Sequence, residues 1–234
     1  MKLGRREGPI LGTVRLIASA WHKPPVLSPL VERPDDLERL ARIEGLTSGR
    51  LLAEREGLPD LDARELAYSA RERALRTWGD VTVNAAFAYA RAGGNRFNDE
   101  RRGAWYCATE TLVSIEEVGF HKTRELRATR WLHETATYVE LVADFVGTFP
   151  DLHGVTPVPP CLDPDTEAAY PLGQALAREL RAGGARGLVY PSVRKPGGVC
   201  LVAFEPQIVQ NVRPGARWEL VWDGSPAFSA RAVG

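Results

Sequence analysis

The sequence predicts an α+β fold, a mixed sheet with flanking helices, and three observations carry that expectation. The C-terminal third holds three short runs rich in Val, Leu, Tyr and Trp, at 187–193, 199–206 and 218–224, with turn residues between them. Two longer stretches, 109–129 and from about Leu172 to Gly183, repeat apolar residues at helical spacing instead. Strand-like segments also occur far upstream, so helices and strands share one chain without segregating into separate domains.

In chain order, 13–19 (TVRLIAS) reads as a strand with Arg15 inside it, a charge that has to be exposed or paired. The proline-bearing 22–30 cannot be helical throughout. At 34–46, Asp35 or Asp36 can cap a helix on which Leu37, Leu40, Ile43 and Leu46 fall at helical spacing. The run 61–77 reads as a second helix, ended by Gly79-Asp80. Together these helices suggest an elaboration at about 34–78 on a single domain of residues 1–234, since no linker or repeat separates them from the rest. A glycine-hinged loop at 93–106, GGNRFNDERRGAWY, delivers Arg96 and runs into an aromatic strand at 104–108. Arg101 and Arg102 in that loop read as solvated charges. The helix at 109–129 can be capped by Thr109 or Thr111 and lines Leu112, Ile115, Val118 and Gly119 along one face. A strand is expected at 137–149, then a proline-rich connection at 150–167, the second long helix, and the three C-terminal strands with Arg194-Lys-Pro-Gly-Gly as a hairpin-like turn.

Composition narrows the chemistry. Lys plus Arg equals Asp plus Glu at 30 each, so bulk electrostatics do not point to nucleic acid. Three scattered cysteines with no Cys-x-x-Cys pair argue against a disulfide framework or a structural zinc, and read as buried or half-buried thiols. No stretch approaches transmembrane length and the N-terminal apolar run is broken by Gly12 and Arg15, so a cytoplasmic protein is expected. Phosphate-loop, dinucleotide-fingerprint, zincin and nucleophile-elbow motifs are all missing from the sequence, and the four histidines are scattered, so no metal is expected. His121 reads as a surface or partly packed histidine, four residues from Glu117 and hence its neighbour on a helix.

What remains is a set of polar residues at strand ends and on one helix: Arg15, Arg96, Tyr106, Glu117, Ser192 and Arg194. Singly, each has a structural explanation. Arg15 can pair across the sheet, Tyr106 can be a core ring with a wet tip, Glu117 can be one more charge on a solvated helix face, and Ser192 can start a turn. Their order is more informative. Arg-Leu-Ile near the start, then GGNRFN, GAWYCA, EEVGFH and YPSVRKPGG, from about Arg15 to Trp222, resembles the RES domain family, whose members are mostly toxins of bacterial toxin–antitoxin pairs.

That resemblance implies a fold similar to ADP-ribosyltransferase toxins, with NAD as substrate in a cleft of a mixed sheet. It implies cleavage of the nicotinamide–ribose bond by a glycohydrolase or phosphorolase that depletes cellular NAD; the alternative is an ADP-ribosyltransferase that modifies a protein. The family's arginine falls on Arg15 or Arg96, its glutamate on Glu117 and its serine on Ser192. Glu116 leaves the register open by one residue, and the Val-Gly-Phe-His that follows favours Glu117. The expected roles are a carboxylate by the ribose for Glu117, a grip on pyrophosphate for Arg15 and Arg96 with Arg194 nearby, a nicotinamide-orienting ring for Tyr106, and a hydrogen bond to carboxamide or ribose for Ser192. Gly93 and Gly94 are expected to let the backbone approach the ligand. The implied partner is a small helical antitoxin of Xre type that blocks the cleft, with any DNA contact belonging to it; homo-oligomerisation is open. A third reading, a non-catalytic binding protein using the same loop, is tested by Glu117→Ala.

Overall fold

A computed structural model describes residues 2–21, 48–66 and 79–233. The helix expected at 34–46 lies outside them, as do residues 67–77 of the run expected at 61–77. Thirteen elements are named here: β1 (Gly4–Glu7), β2 (Ile10–Ala18), α1 (Gly49–Glu56), α2 (Asp80–Ala88), β3 (Trp105–Ala108), α3 (Thr111–Thr129), β4 (His133–Phe145), β5 (Thr148–Asp151), α4 (Thr166–Ala182), β6 (Gly187–Pro191), β7 (Val199–Ala203), β8 (Gln210–Asp223) and β9 (Phe228–Val233). The expected α+β class is what the chain forms: among the described residues four helices flank a nine-stranded mixed sheet of order β1-β5-β6-β7-β3-β2-β4-β8-β9.

Only β5 and β6 run parallel; the other neighbours are antiparallel. The pairing is uneven. β3 matches β7 over four residues, from Trp105 opposite Ala203 to Ala108 opposite Cys200, and β2 follows β4 along most of its length. Between β2 and β3 only Val14 and Ala108 pair. The sheet therefore splays between β2 and β3.

Alternation along the strands makes two apolar faces. On one, Ala53 of α1 and Val83 and Phe87 of α2 cover Trp105, Leu141, Phe145 and Leu201. On the other, α3 sets Ile115 and Leu126 on Leu16, Leu220 and Trp222, while Ala177 of α4 packs with Leu188, Val202 and Phe204. Each large side chain removed from water in this way contributes roughly 1.5–3 kcal/mol. Gly119 brings α3 down on the sheet: a Cβ there would lie 2.2 Å from the Phe228 ring.

Several sequence expectations need correction. Residues 61–66 are not the start of an α-helix. Leu61 bridges to Leu58, and Asp62 caps a single 3-10 turn with Glu65 in a capping box. Gly79, expected to end a helix, instead caps α2, its φ of +99° suiting glycine. The 109–129 helix is capped by Glu110 without a side-chain bond, because the Thr111 hydroxyl is drawn to Glu140 at 2.8 Å; Leu112 is exposed and Val113 takes the buried position. The 137–149 strand is two strands broken at Gly147. α4 begins at Thr166, six residues before the expected start, because the Asp165 carboxylate accepts from the Glu167 N–H and Pro171, at the sixth helical position, removes only one intrahelical donor. β8 starts at Gln210, ahead of the expected 218, by shifting register around Pro214.

Candidate active site

The splay between β2 and β3 opens into a cavity of about 230 Å³. Its walls are Arg15 and Leu16 of β2, Tyr106 to Ala108 of β3, Glu117 and His121 of α3, Asn95 and Arg96 of the 93–98 turn, Tyr170 of α4, and Tyr190, Arg194 and Cys200 around the β6–β7 hairpin. Of the six residues singled out from sequence, five line it. Ser192 does not: it stands behind Glu117.

Glu117 is the seventh residue of α3 and half-buried, and Glu116 is not part of the cavity wall. The Ser192 hydroxyl donates to Glu117 Oε1 at 2.6 Å, and the Cys200 thiol lies 3.9 Å from the same oxygen. Oε2 takes no hydrogen bond among the described residues. Ser192 is itself locked, since its oxygen accepts from the N–H groups of Arg194 and Lys195 at 3.2 and 3.0 Å, and its own N–H donates to the Gly198 carbonyl. The Lys195-Pro-Gly-Gly turn thus fixes the serine, and the serine aims the carboxylate.

Three guanidinium groups share the cavity with that single carboxylate. Arg96 is buried and donates through Nη1 to the carbonyls of Cys161 and Asp163, at 2.5 and 3.0 Å, with its guanidinium 5.5 Å from the Tyr170 ring centre. Arg194 lies flat on Phe120, 3.4 Å from its centre, and donates to the Pro164 carbonyl. Arg15 sits in the splay itself. Its guanidinium lies 5.0 Å from the Trp105 ring centre, Nη1 reaches the Tyr106 carbonyl at 3.3 Å, and its Nε is buried without a partner. Burial lowers the pKa of Arg15 and Arg194, but guanidinium stays charged in proteins.

The 93–98 turn is built more for rigidity than for backbone approach to a ligand. Gly94 adopts φ +71°, and a Cβ on it would lie 2.1 Å from the Asn98 carbonyl oxygen, so this glycine makes the turn. The Tyr106 hydroxyl donates to Asn98 Oδ1 at 2.8 Å and accepts from the Phe97 N–H at 2.9 Å. Tyr106 therefore offers a ligand its ring, its hydroxyl being already paired. α4 clamps the other side: Gln174 donates to the carbonyls of Gly93 and Asn95, and the missing Cβ of Gly173 lets the helix backbone meet the Arg96 carbonyl.

Arg102 is not the solvated charge expected from sequence. It is 3% exposed and donates to the carbonyls of Asp60 and Phe204, with Glu65 at 2.7 Å. Arg101 is exposed and pairs with Asp60.

The wall also holds residues that sequence reasoning passed over. Tyr170 was hidden by Pro171, which reads as a helix breaker. Tyr190 was hidden inside a strand. His121 was visible only as a helical neighbour of Glu117. Burial, followed by Arg91, Arg124, Arg194 and Arg96, pulls the pKa of His121 down to about 4, so the ring is neutral at neutral pH. Burial raises the pKa of Tyr106, Tyr170, Tyr190 and Cys200 and pushes Cys107 up to about 12. The thiols are thus protonated and poor nucleophiles, and Glu117 is the one carboxylate among the lining residues. Among the described residues no cluster of His, Cys, Asp and Glu could hold a metal ion, and no helix is long and apolar enough to cross a membrane.

The sequence model of the RES domain matches residues 66–223. The chain belongs to the RES domain family. RES domains are toxin domains of toxin–antitoxin systems, generally NAD-processing and commonly paired with antitoxins. The matched span holds Arg96, Tyr106, Glu117, Ser192 and Arg194; Arg15 precedes it and joins the site through β2. No curated protein matches the chain.

Proposed function

We propose that this RES domain protein degrades NAD by cleaving the nicotinamide–ribose bond, as a glycohydrolase or phosphorolase, and so arrests growth by draining the cofactor. The observation that carries the reading is the single carboxylate of Glu117, aimed by Ser192 into a cavity walled by Arg15, Arg96 and Arg194.

The charge pattern matches the chemistry. Two phosphates need cations, and guanidinium groups offer paired donors to them. Ordinary glycoside hydrolysis uses two carboxyl groups, one of them to protonate the leaving oxygen. Nicotinamide bound to ribose already carries a positive charge. It leaves with the bonding electron pair as a neutral molecule and needs no proton, so one carboxylate suffices. Positive charge then builds on the ribose C1′ and ring oxygen, and Glu117 stabilises it. Water or phosphate attacks C1′ and the departing proton passes to solvent or to Glu117. The protonated thiols of the wall are poor nucleophiles and do not compete with water or phosphate for C1′.

The chain acts as one RES-type unit of residues 1–234, with about 34–78 as an elaboration; in support, β1 and β2 join the same sheet as the family-matched strands. Its partner is a cognate antitoxin, small, helical and of Xre type, that plugs the cleft.

Chromatography of NAD incubated with the purified protein tests this directly. Free nicotinamide is expected, with ADP-ribose in plain buffer or its 1-phosphate when phosphate is the acceptor. Intact NAD in both buffers sinks the reading. If growth stops at a constant NAD pool and labelled NAD marks one protein band, the activity is protein ADP-ribosylation instead.

A further inference from the structure

His121 has no part in the reaction just described, yet it lines the same cavity one helical turn beyond Glu117. Its Nδ1 is buried and makes no hydrogen bond among the described residues. Buried polar atoms in folded proteins almost always find a partner, so an unpaired one in a cavity wall marks where something else binds. The groups that face it are largely cations. Arg124 and Glu117 come from its own helix, Arg91 from the segment after α2, Arg96 from the 93–98 turn, and Arg194 from the β6–β7 hairpin; Tyr170 of α4 joins them as a neutral phenol. Two of these cations are already engaged elsewhere. Arg124 donates to the Thr166 hydroxyl, and Arg91 lies 3.7 Å from Glu125. Arg194 is held against Phe120, whose ring meets that of His121 edge-on at 5.4 Å.

We propose that His121 is a further ligand-binding residue of this cavity, its imidazole donating a hydrogen bond to a phosphate oxygen of a phosphate-bearing ligand beside Arg96 and Arg194. The proposal rests on the NAD reading and names the part of the ligand that this end of the cavity takes. A hydroxyl or carboxamide could also bond the ring, but neither relieves the crowd of positive charge around it. An anion does. By offsetting the arginines that keep the ring neutral, a bound phosphate raises the affinity of His121 for a proton. Binding is then linked to proton uptake. In the free protein the ring titrates near pH 4; in the complex it titrates higher. Affinity for the phosphate-bearing ligand therefore rises as pH falls through the bound-state value, and levels off below pH 4.

The probes are ADP-ribose and inorganic pyrophosphate, with nicotinamide riboside as the ligand lacking a phosphate. Calorimetry is run from pH 7 to pH 5 on the full chain and on His121→Gln. His121→Gln is expected to weaken ADP-ribose about tenfold, the scale of one hydrogen bond to a charged group, to leave the riboside unchanged, and to abolish proton uptake. The ring of the unmutated protein, followed by NMR, gives a reading that needs no variant: ADP-ribose should raise its titration point. If ADP-ribose and pyrophosphate bind with that point unmoved and His121→Gln at full affinity, this proposal fails and the NAD reading stands. If neither binds at all, both fall.

Discussion

Glu117 and Glu140 are two carboxylates that share α3 yet live in opposite circumstances. Glu140, on β4, is buried and saturated: it accepts from the Thr111 hydroxyl at the start of α3, from the Ala216 N–H and from the Trp218 indole. Glu117, on α3 itself, accepts from Ser192 on one oxygen and turns the other toward an arginine-walled cavity. The same contrast separates Arg102, which gives both terminal nitrogens to two carbonyls and Glu65, from Arg96, which keeps part of its fork for the cavity. Burial alone does not mark a functional charge. What marks it is hydrogen-bonding capacity left over beside a space that a ligand can fill.

That contrast can be broken by mutation. Glu117→Gln keeps the volume and the fold; turnover of NAD should fall roughly 10²–10³-fold while the melting temperature holds. A Glu117→Gln protein with full activity would falsify the assignment, and loss through Glu116→Ala instead would move it by one residue. Arg102→Met should show the reverse pattern. It orphans two carbonyls and Glu65, so denaturant unfolding should report a loss of roughly 3 kcal/mol with turnover per folded molecule unchanged. For Glu140→Leu the expected loss is about 2 kcal/mol, again without a change in turnover, because three donors lose their acceptor. Ser192→Ala lies between the two kinds: kcat should drop about tenfold with KM nearly constant, since the serine holds Glu117 from behind the cavity wall. Arg101→Ala is the smallest, below about 0.5 kcal/mol and silent in activity, as for most exposed ion pairs.

The strands built from dense β-branched and aromatic runs, β3, β6 and β7, were legible in the sequence because their pattern is local. Segments unpaired on one side were not, such as β1 at the sheet edge and the part of β8 that β9 does not cover. β1 is Gly-Arg-Arg-Glu, and the first half of β8 is polar and exposed around Pro214, so neither shows an apolar alternation to read. α2 stayed hidden because its buried stripe is half polar: Asp80 and Asn84 share it with Val83 and Phe87, so apolar residues alone do not mark the face. At the site, motif order located Arg96, Glu117 and Ser192, but not their division of labour. Adjacent arginines at 101 and 102 look identical on paper. They differ only because the carbonyls of Asp60 and Phe204, distant in sequence, meet one of them and not the other. His121 and Tyr170 needed the third dimension for the same reason.

The splay in the sheet has a consequence for synthesis. β1, β5, β6, β7 and β3 lie on one side of it and β2, β4, β8 and β9 on the other. The chain crosses between them from β1 to β2, β2 to β3, β3 to β4, β4 to β5 and β7 to β8. With such interleaving neither half is a continuous stretch of chain, so each forms only after segments distant in sequence have been made. Arg15 and Glu117 emerge well before Ser192, Arg194 and Cys200. Until then the chain holds no complete cavity, which comes into being only when β7 pairs with β3 and the β6–β7 hairpin closes on β2 and α3.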